Sequence, residues 1–104
     1  MTDHDSGFNQ RIWQVVAAIP PGKVMTYGQV AHKAGMARAV RRVGQALRGL
    51  PANTRIPWHR VVNAQGRISL PEDSGSHAHQ RDRLEQEGVP FSISGKIDLR
   101  EHGW

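Results

Sequence analysis

Hydrophobic residues recur at helical spacing near the start of the chain. The positions that share one face of such a helix are Phe8, Ile12, Val15, Val16 and Ile19. Asp5 or Ser6 is available as the N-cap, and Pro20-Pro21-Gly22 ends the pattern. We therefore predict a first helix that packs on the core.

A second, shorter helix is predicted from its start signal. Thr26-Tyr27-Gly28-Gln29 matches a capping box, in which the Thr26 hydroxyl accepts a hydrogen bond from the Gln29 N–H and the Gln29 side chain reaches back. The helix should run from Tyr27 to about Ala34, where Gly35 breaks it.

The next apolar stripe predicts a helix from about Arg38 to Arg48, closed by Gly49 and Pro51. Its inward positions are Val40, Val43, Ala46, Leu47 and Leu50, and its outward positions are Arg38, Arg41, Arg42, Gln45 and Arg48. With the preceding helix and the turn at Gly35, it forms a helix-turn-helix candidate. The outward face suits a nucleic acid, and the alternative is an ordinary solvated basic face.

The second half of the chain is less periodic. Residues 63–66 are typical of a turn between short extended pieces, and residues 71–76 of a surface loop. A last helix is predicted from about His77 to Glu87, ended by Gly88, and Phe91 and Ile93 alternate with polar residues as in a strand. Residues 96–104 receive no assignment. The fold class is mainly α with short β pieces, in one domain over residues 1–104 with its core between residues 8 and 88.

Charge is distributed unevenly along the 104 residues, whose net charge is +5. From Ser6 to Pro71 there is no Asp or Glu, while ten Lys or Arg occur, so a polyanion is the natural partner of this segment. No apolar run is long enough to span a bilayer, and the first residues lack the basic and then apolar pattern of a secretory signal, so we expect no such signal. We expect a soluble, cytoplasmic protein, nucleoid-associated if bacterial, with no membrane partner.

The absence of cysteine excludes disulfides, thiolate metal sites and thiolate nucleophiles in this chain. Six histidines occur, but none has the spacing of a metal motif, so we expect no metal and no cofactor. His59 could form a hydrogen bond with Glu87, although a lone buried histidine is more often structural than catalytic. Trp58 beside it would, taken alone, be an ordinary core aromatic.

Several motifs together resemble a known family. They are Tyr27-Gly28-Gln29-Val30-Ala31, Arg41-Arg42-Val43-Gly44-Gln45-Ala46, Pro57-Trp58-His59-Arg60-Val61-Val62 and Glu87-Gly88. The stretch from about Phe8 to Gly88 resembles the DNA-binding, C-terminal domain of O6-alkylguanine-DNA alkyltransferases, a winged-helix-like helix-turn-helix domain. With Trp58 in place of the acceptor cysteine, the chain is similar to the alkyltransferase-like proteins. It departs from the enzymes at Leu50, where they carry Asn, and at Asp73, where they carry Tyr.

The resemblance implies roles for individual residues. Arg41 matches the arginine that enters the base stack in place of an extruded nucleotide, and Tyr27 matches the tyrosine that crowds the phosphate. The implied DNA contacts, made in the minor groove, are Thr26, Tyr27, Gln29, Arg38, Ala39, Arg41, Arg42 and Gln45. The implied lesion pocket consists of Tyr27, Leu47, Trp58, Val61 and Ser74. His59 and Glu87 remain from a proton relay that has no thiol to activate, so no residue is expected to be catalytic.

These features predict a non-enzymatic, monomeric sensor of DNA damage. By resemblance, it would flip O6-alkylguanine out of double-stranded DNA into the pocket and flag it for nucleotide excision repair proteins. One alternative is a sequence-specific transcription regulator that uses the same helix-turn-helix in the major groove. Another is an enzyme that removes alkylated bases with His59 and Glu87, but no activated nucleophile is visible.

Overall fold

The computed structural model describes residues 3–104, with side chains from residue 7 onward. In this part of the chain the helices are α1 (Asp3–Ala17), α2 (Tyr27–Lys33), α3 (Val40–Arg48), α4 (Gly75–Gln86) and α5 (Leu99–His102), with a 3-10 turn at Trp58–Arg60. Two short strands, β1 (Met25–Thr26) and β2 (Val61–Val62), pair in parallel with Met25 opposite Val61. The predicted fold class, mainly helical with short β pieces, is confirmed.

Helices α1, α2 and α3 enclose the larger hydrophobic cluster. Phe8, Ile12 and Val16 are buried as the helical spacing of α1 predicts, and Ile19 is buried just beyond the end of the helix. Trp13 ties α1 to α3, because its indole Nε1–H donates to the Ala46 carbonyl at 2.9 Å. Helix α1 begins at Asp3, earlier than the predicted caps at Asp5 and Ser6.

Helices α2 and α3 form the predicted helix-turn-helix. The capping box at Thr26 is present, and the turn uses Gly35 at φ 79°, a conformation that favours glycine. One prediction for α3 is wrong: Val40 is 39% exposed, and the buried stripe begins only at Val43. Side chains lean toward the N-terminus of a helix, so a first-turn residue can project beyond the packed part.

A second cluster lies under the C-terminal half of the chain. Its buried members are Val24, Val62, Leu84, Val89 and Ile97. The strand predicted around Phe91 and Ile93 does not form. Phe91 packs against this cluster, whereas Ile93, which was expected to share its face, is fully exposed. Of the extended pieces predicted on either side of the 63–66 turn, only the first is a strand, β2.

The last residues, which the sequence left unassigned, return to β1. Val24 and Gly103 form a parallel bridge, with Val24 N donating to the His102 carbonyl at 2.8 Å. Gly66 lies under this segment at φ 81°, where a Cβ atom would meet the Ile97 carbonyl oxygen at 2.6 Å. Residues 96–104 are therefore held by backbone contacts with residues that are distant in sequence. Over residues 3–104, no helix is both long and apolar enough to cross a membrane.

Candidate nucleic-acid interface and base-binding cavity

The outward side of α3 presents a basic face. Arg38, Arg41, Gln45 and Arg48 are exposed on this helix or just before it. Arg42 differs from them, because it is partly buried and its guanidinium stacks on the Phe8 ring at 4.1 Å from the centroid. The prediction that all five polar residues face outward is therefore wrong for Arg42, which lies between α3 and α1.

The start of each helix supplies further polar groups. Gln29 N donates to Thr26 Oγ1 at 3.1 Å, and Thr26 N donates to Gln29 Oε1 at 2.9 Å. The Thr26 hydroxyl proton and the Gln29 amide protons are not used in this box. At the start of α3, Ala39 occupies the N-cap without a side-chain hydrogen bond, so the α3 backbone N–H groups are not capped by it. The N-terminus of α3 thus combines uncapped donors with the positive end of the helix dipole.

A cavity of about 590 Å³ opens beside Trp58, between the C-terminal half of α3 and helix α4. Its lining residues are Tyr27, Gly44, Leu47, Arg48, Leu50, Pro51, Ala52, Thr54, Trp58, Ser69, Leu70, Ser76, His79, Gln80 and Arg83. At one wall, the Tyr27 hydroxyl and Ser69 Oγ are 2.8 Å apart and hydrogen-bonded. Three of the five residues predicted for the pocket, Tyr27, Leu47 and Trp58, lie here.

The structure places the other two predicted pocket residues elsewhere. Val61 is 1% exposed and belongs to the large hydrophobic cluster, because it lies in β2, whose residues are both buried. Ser74 is the N-cap of α4: its hydroxyl accepts from His77 N at 3.1 Å and donates to the Pro71 carbonyl at 2.7 Å. Helix α4 therefore begins at Gly75, two residues earlier than predicted.

One wall of the cavity was missed by the sequence analysis. Ser76, His79, Gln80 and Arg83 recur at helical spacing and share one face of α4. The His79 ring lies 6.1 Å from the Trp58 ring, centroid to centroid, at a tilt of 35°. The signal was available in the spacing of these polar residues, but this helix has no strong apolar stripe to show which side faces inward.

Behind Trp58, a partly buried cluster joins the 3-10 turn to the end of α4. His59 is fully buried, and its Nε2 lies 2.8 Å from Glu87 Oε2, so the predicted hydrogen bond between them is present. Arg60 binds the same carboxylate with two bonds, Nε to Oε1 at 3.0 Å and Nη2 to Oε2 at 2.7 Å. Arg60 Nη1 also donates to the Ile19 carbonyl at 2.7 Å. We call Glu87, His59 and Arg60 the carboxylate cluster.

The protonation states in the carboxylate cluster follow from its contacts. Burial raises the pKa of Glu87, but the hydrogen bonds from Arg60 and His59 outweigh it and lower the pKa to about 2. Burial also lowers the pKa of His59, against the opposing effect of the Glu87 hydrogen bond. A neutral His59 donates its Nε2–H to Glu87, which leaves Nδ1 as a buried acceptor with no hydrogen-bond partner among the described residues.

This arrangement can bind but offers little chemistry. The indole of Trp58 has a donor N–H and no basic lone pair, and the chain has no cysteine that His59 could activate. Among residues 3–104, no three His, Asp or Glu side chains are grouped to hold a metal ion. What remains is a cavity with an aromatic wall next to a basic face.

Comparisons with known proteins agree with this geometry. Residues 7–89 match the family model described as the 6-O-methylguanine DNA methyltransferase DNA binding domain. The chain is 50% identical to the DNA base-flipping protein of Escherichia coli over 98% of this chain and 78% of that protein. It is 42% identical to alkyltransferase-like protein 1 of Schizosaccharomyces pombe over 93% of this chain and 94% of that protein.

Solved structures give the same result. The S. pombe alkyltransferase-like protein in complex with damaged DNA containing O6-carboxymethylguanine superposes with a TM-score of 0.86, covering 95% of each chain at 42% identity. The O6-methylguanine methyltransferase of Mycobacterium tuberculosis gives a TM-score of 0.68 at 32% identity, covering 84% of this chain and 53% of that one.

Proposed function

Because the chain belongs to the 6-O-methylguanine DNA methyltransferase DNA-binding domain family, we propose that it is a non-enzymatic sensor of alkylated DNA. The observation that carries this proposal is the position of Trp58. Its indole borders the cavity at the place where the family's enzymes have their nucleophilic cysteine, and the carboxylate cluster lies intact behind it. The names of the relatives, base-flipping and alkyltransferase-like proteins, support the same function.

The helix-turn-helix is the proposed DNA-binding surface. Arg41 and Gln45 on α3, together with Arg38 just before it, are proposed to face a minor groove. The uncapped backbone N–H groups of Val40 and Arg41, in the first turn of α3, would face the phosphates. The Thr26 hydroxyl and the Gln29 amide retain hydrogen-bond donors that would also contact the DNA backbone. Phosphate contacts of this kind make the affinity fall steeply with salt, so any comparison of DNA sequences or lesions needs one fixed salt concentration.

The cavity beside Trp58 is the proposed binding site for the extruded base. Flipping a nucleotide costs a few kcal/mol, and two features of this chain offset that cost. Arg41, exposed on α3, fills the gap in the base stack, and Tyr27 crowds the phosphate so that the nucleotide rotates outward. Inside the cavity, Trp58 gives the O6-alkylguanine a flat apolar wall and one N–H donor.

The bound lesion is then retained without transfer of its alkyl group. Transfer needs a nucleophile at the alkyl carbon, and Trp58 supplies none. A retained lesion must be removed by other proteins, so we infer that the complex is handed to nucleotide excision repair. The protein would act where the DNA is, in the cytoplasm, and would be associated with the nucleoid if the cell is bacterial.

A binding experiment tests the proposal. Fluorescence anisotropy with duplexes that differ only at one base, guanine or O6-methylguanine, should give at least about tenfold tighter binding to the methylated duplex at the same salt concentration. Mass spectrometry of protein and DNA after incubation should show both unchanged. Equal affinity for the two duplexes would overturn lesion recognition, and a methylated protein or a restored guanine would overturn the non-enzymatic assignment.

A further inference from the structure

We propose that the cavity beside Trp58 selects O6-substituents that carry a negative charge, and that Arg83 is the residue that binds this charge. The inference rests on the proposed function, since it names a lesion class for the same cavity. It concerns the substituent on the base and not the DNA backbone, so it predicts discrimination between lesions in otherwise identical duplexes.

The charge of the cavity lining is the first observation. Among the described residues that line it, Arg48, Arg83 and His79 can carry positive charge, and no Asp or Glu is present. A cavity wall with a single sign of charge attracts groups of the opposite sign more strongly than the exposed surface does, because less water screens them. A neutral alkyl group contacts only the apolar walls of this cavity. An anionic substituent is also attracted to the positively charged side chains of the lining.

Arg83 is better placed than Arg48 to meet the substituent. Arg48 is exposed, on the DNA-facing helix α3, where phosphates compete for it. Arg83 is partly buried on α4, on the same face as His79 and one turn beyond Gln80. Burial lowers the pKa of His59, and the nearby positive charge of Arg83 lowers it further, so Arg83 lies close to the residue next to Trp58.

The neighbours of Arg83 fix the position of its helix and leave the charge of its side chain unneutralised. Gln80 is buried, and its Nε2 donates to the carbonyls of His59 and Val61, both at 3.1 Å, so this face of α4 is fixed against the Trp58 segment. Glu87 is engaged by Arg60 and His59, and Glu85 pairs with Arg81. Within residues 3–104, no acidic side chain forms an ion pair with Arg83, so its guanidinium remains available for a ligand.

A carboxylate is the matching chemical group. The planar guanidinium donates two parallel hydrogen bonds to a carboxylate, and such charged bonds are about twice as strong as neutral ones. A carboxamide of the same shape has one acceptor oxygen and no charge, so Arg83 would bind it less well. We expect a carboxylate to gain about tenfold in affinity over its amide.

The test uses four duplexes at one salt concentration, with O6-carboxymethylguanine, its neutral amide O6-carbamoylmethylguanine, O6-methylguanine or guanine at a single position. The wild-type protein should bind the carboxymethyl duplex about tenfold more tightly than the amide duplex. Arg83→Gln should abolish this preference, so that the acid and amide duplexes are bound with equal affinity. Arg83→Lys, which keeps the charge, should retain part of the preference and serves as the test if Arg83→Gln fails to fold.

Arg81→Gln is the matched control. Arg81 lies on the same helix, but it stacks on Phe91 at 4.8 Å from the ring centroid and pairs with Glu85 outside the cavity, so its replacement should leave the preference intact. Equal binding of acid and amide by the wild-type protein overturns the inference. A preference that survives in Arg83→Gln overturns the role of Arg83. If O6-methylguanine is bound no better than guanine, the proposed function itself fails, and this result is distinguishable from the other two.

Discussion

The outward face of α3 and the carboxylate cluster behind Trp58 are both built from charged side chains, but they are organised in opposite ways. On α3, Arg41 is exposed and its charge is open to solvent. In the cluster, one carboxylate receives hydrogen bonds from two side chains, and the side chain of Glu87 is only 16% exposed. The first region is ready to contact a partner, whereas the second has already satisfied its charges within the protein.

This difference separates two kinds of effect. Side chains on the exposed face should act on DNA largely one at a time, through contacts that salt weakens. In the cluster, Arg60 and His59 donate hydrogen bonds to the same Glu87 carboxylate, so removing this carboxylate leaves partly buried polar groups without a partner. Changes in the cluster should therefore lower stability, and changes on α3 should lower affinity.

The largest effect is expected from Glu87→Gln. The substitution removes the charge that Arg60 and His59 both bind and leaves the Arg60 guanidinium without its carboxylate. Breaking such a pair by removing one partner costs about 3 kcal/mol of the free energy of unfolding. Urea denaturation followed by circular dichroism measures this loss.

Glu85→Gln is the control for that measurement. Glu85 also pairs with an arginine of the C-terminal half, but the side chains of Arg81 and Glu85 are 40% and 45% exposed. An exposed pair one helical turn apart contributes about 0.5 kcal/mol or less. A similar loss in both variants would show that the carboxylate cluster is no more important than a surface ion pair.

The pH dependence of stability is the next largest effect. Both His59 and Glu87 have a pKa below the ordinary value, so the unfolded chain binds more protons than the folded one. The free energy of unfolding therefore decreases as the pH is lowered. The contribution of His59 is present above its ordinary pKa of 6.5 and is lost as the pH falls below that value. The contribution of Glu87 is present above 4.5 and is lost as the pH falls toward about 2.

Glu87 contributes on the order of 2 kcal/mol to the pH-dependent free energy of unfolding, once the partial exposure of its side chain is discounted. Urea denaturation at pH 7, 5, 4 and 3 should show the decline in the wild-type protein. In Glu87→Gln the decline below pH 4.5 should be smaller. An unchanged slope in this variant would assign the acid sensitivity to other carboxylates.

Local signals predicted much of the helix-turn-helix. The capping box at Thr26 and the break at Gly35 depend on residues close in sequence, and both occur as predicted. The family resemblance is confirmed by the match over residues 7–89. The resemblance also identified Trp58 as the residue in the position of the acceptor cysteine. Hydrophobic periodicity alone would not have distinguished Trp58 from a core aromatic.

Contacts between distant segments were not predictable in this way. The bridge between Val24 and Gly103 joins residues far apart in the chain, and nothing in the local pattern of the tail indicates it. The cavity-lining face of α4 was missed because its burial depends on how the helix packs against the 3-10 turn. The stacking of Arg42 on Phe8 was missed for the same reason, since a helical pattern does not show which flank of α3 faces α1.

The smallest expected effects come from Arg41 and Arg42, which are adjacent and chemically identical. They test the contrast between an exposed charge and a charge satisfied within the protein on a single helix. Arg41 is exposed, while Arg42 stacks on Phe8. Arg41→Ala should weaken binding to an O6-methylguanine duplex by about tenfold, or about 1.4 kcal/mol, since the gap left by the flipped nucleotide stays unfilled, and should leave the free energy of unfolding unchanged. Fluorescence anisotropy and urea denaturation measure the two quantities.

Arg42→Ala should show the reverse pattern. Loss of the stacking contact with Phe8 should lower the free energy of unfolding by about 0.5 to 1 kcal/mol, with a smaller change in affinity for the lesion than Arg41→Ala causes. Arg11→Ala, on the exposed side of α1, is the control for lost positive charge and should change neither quantity much. If all three variants lose affinity equally, α3 binds DNA only through its overall charge, and Arg41 has no special place in the base stack.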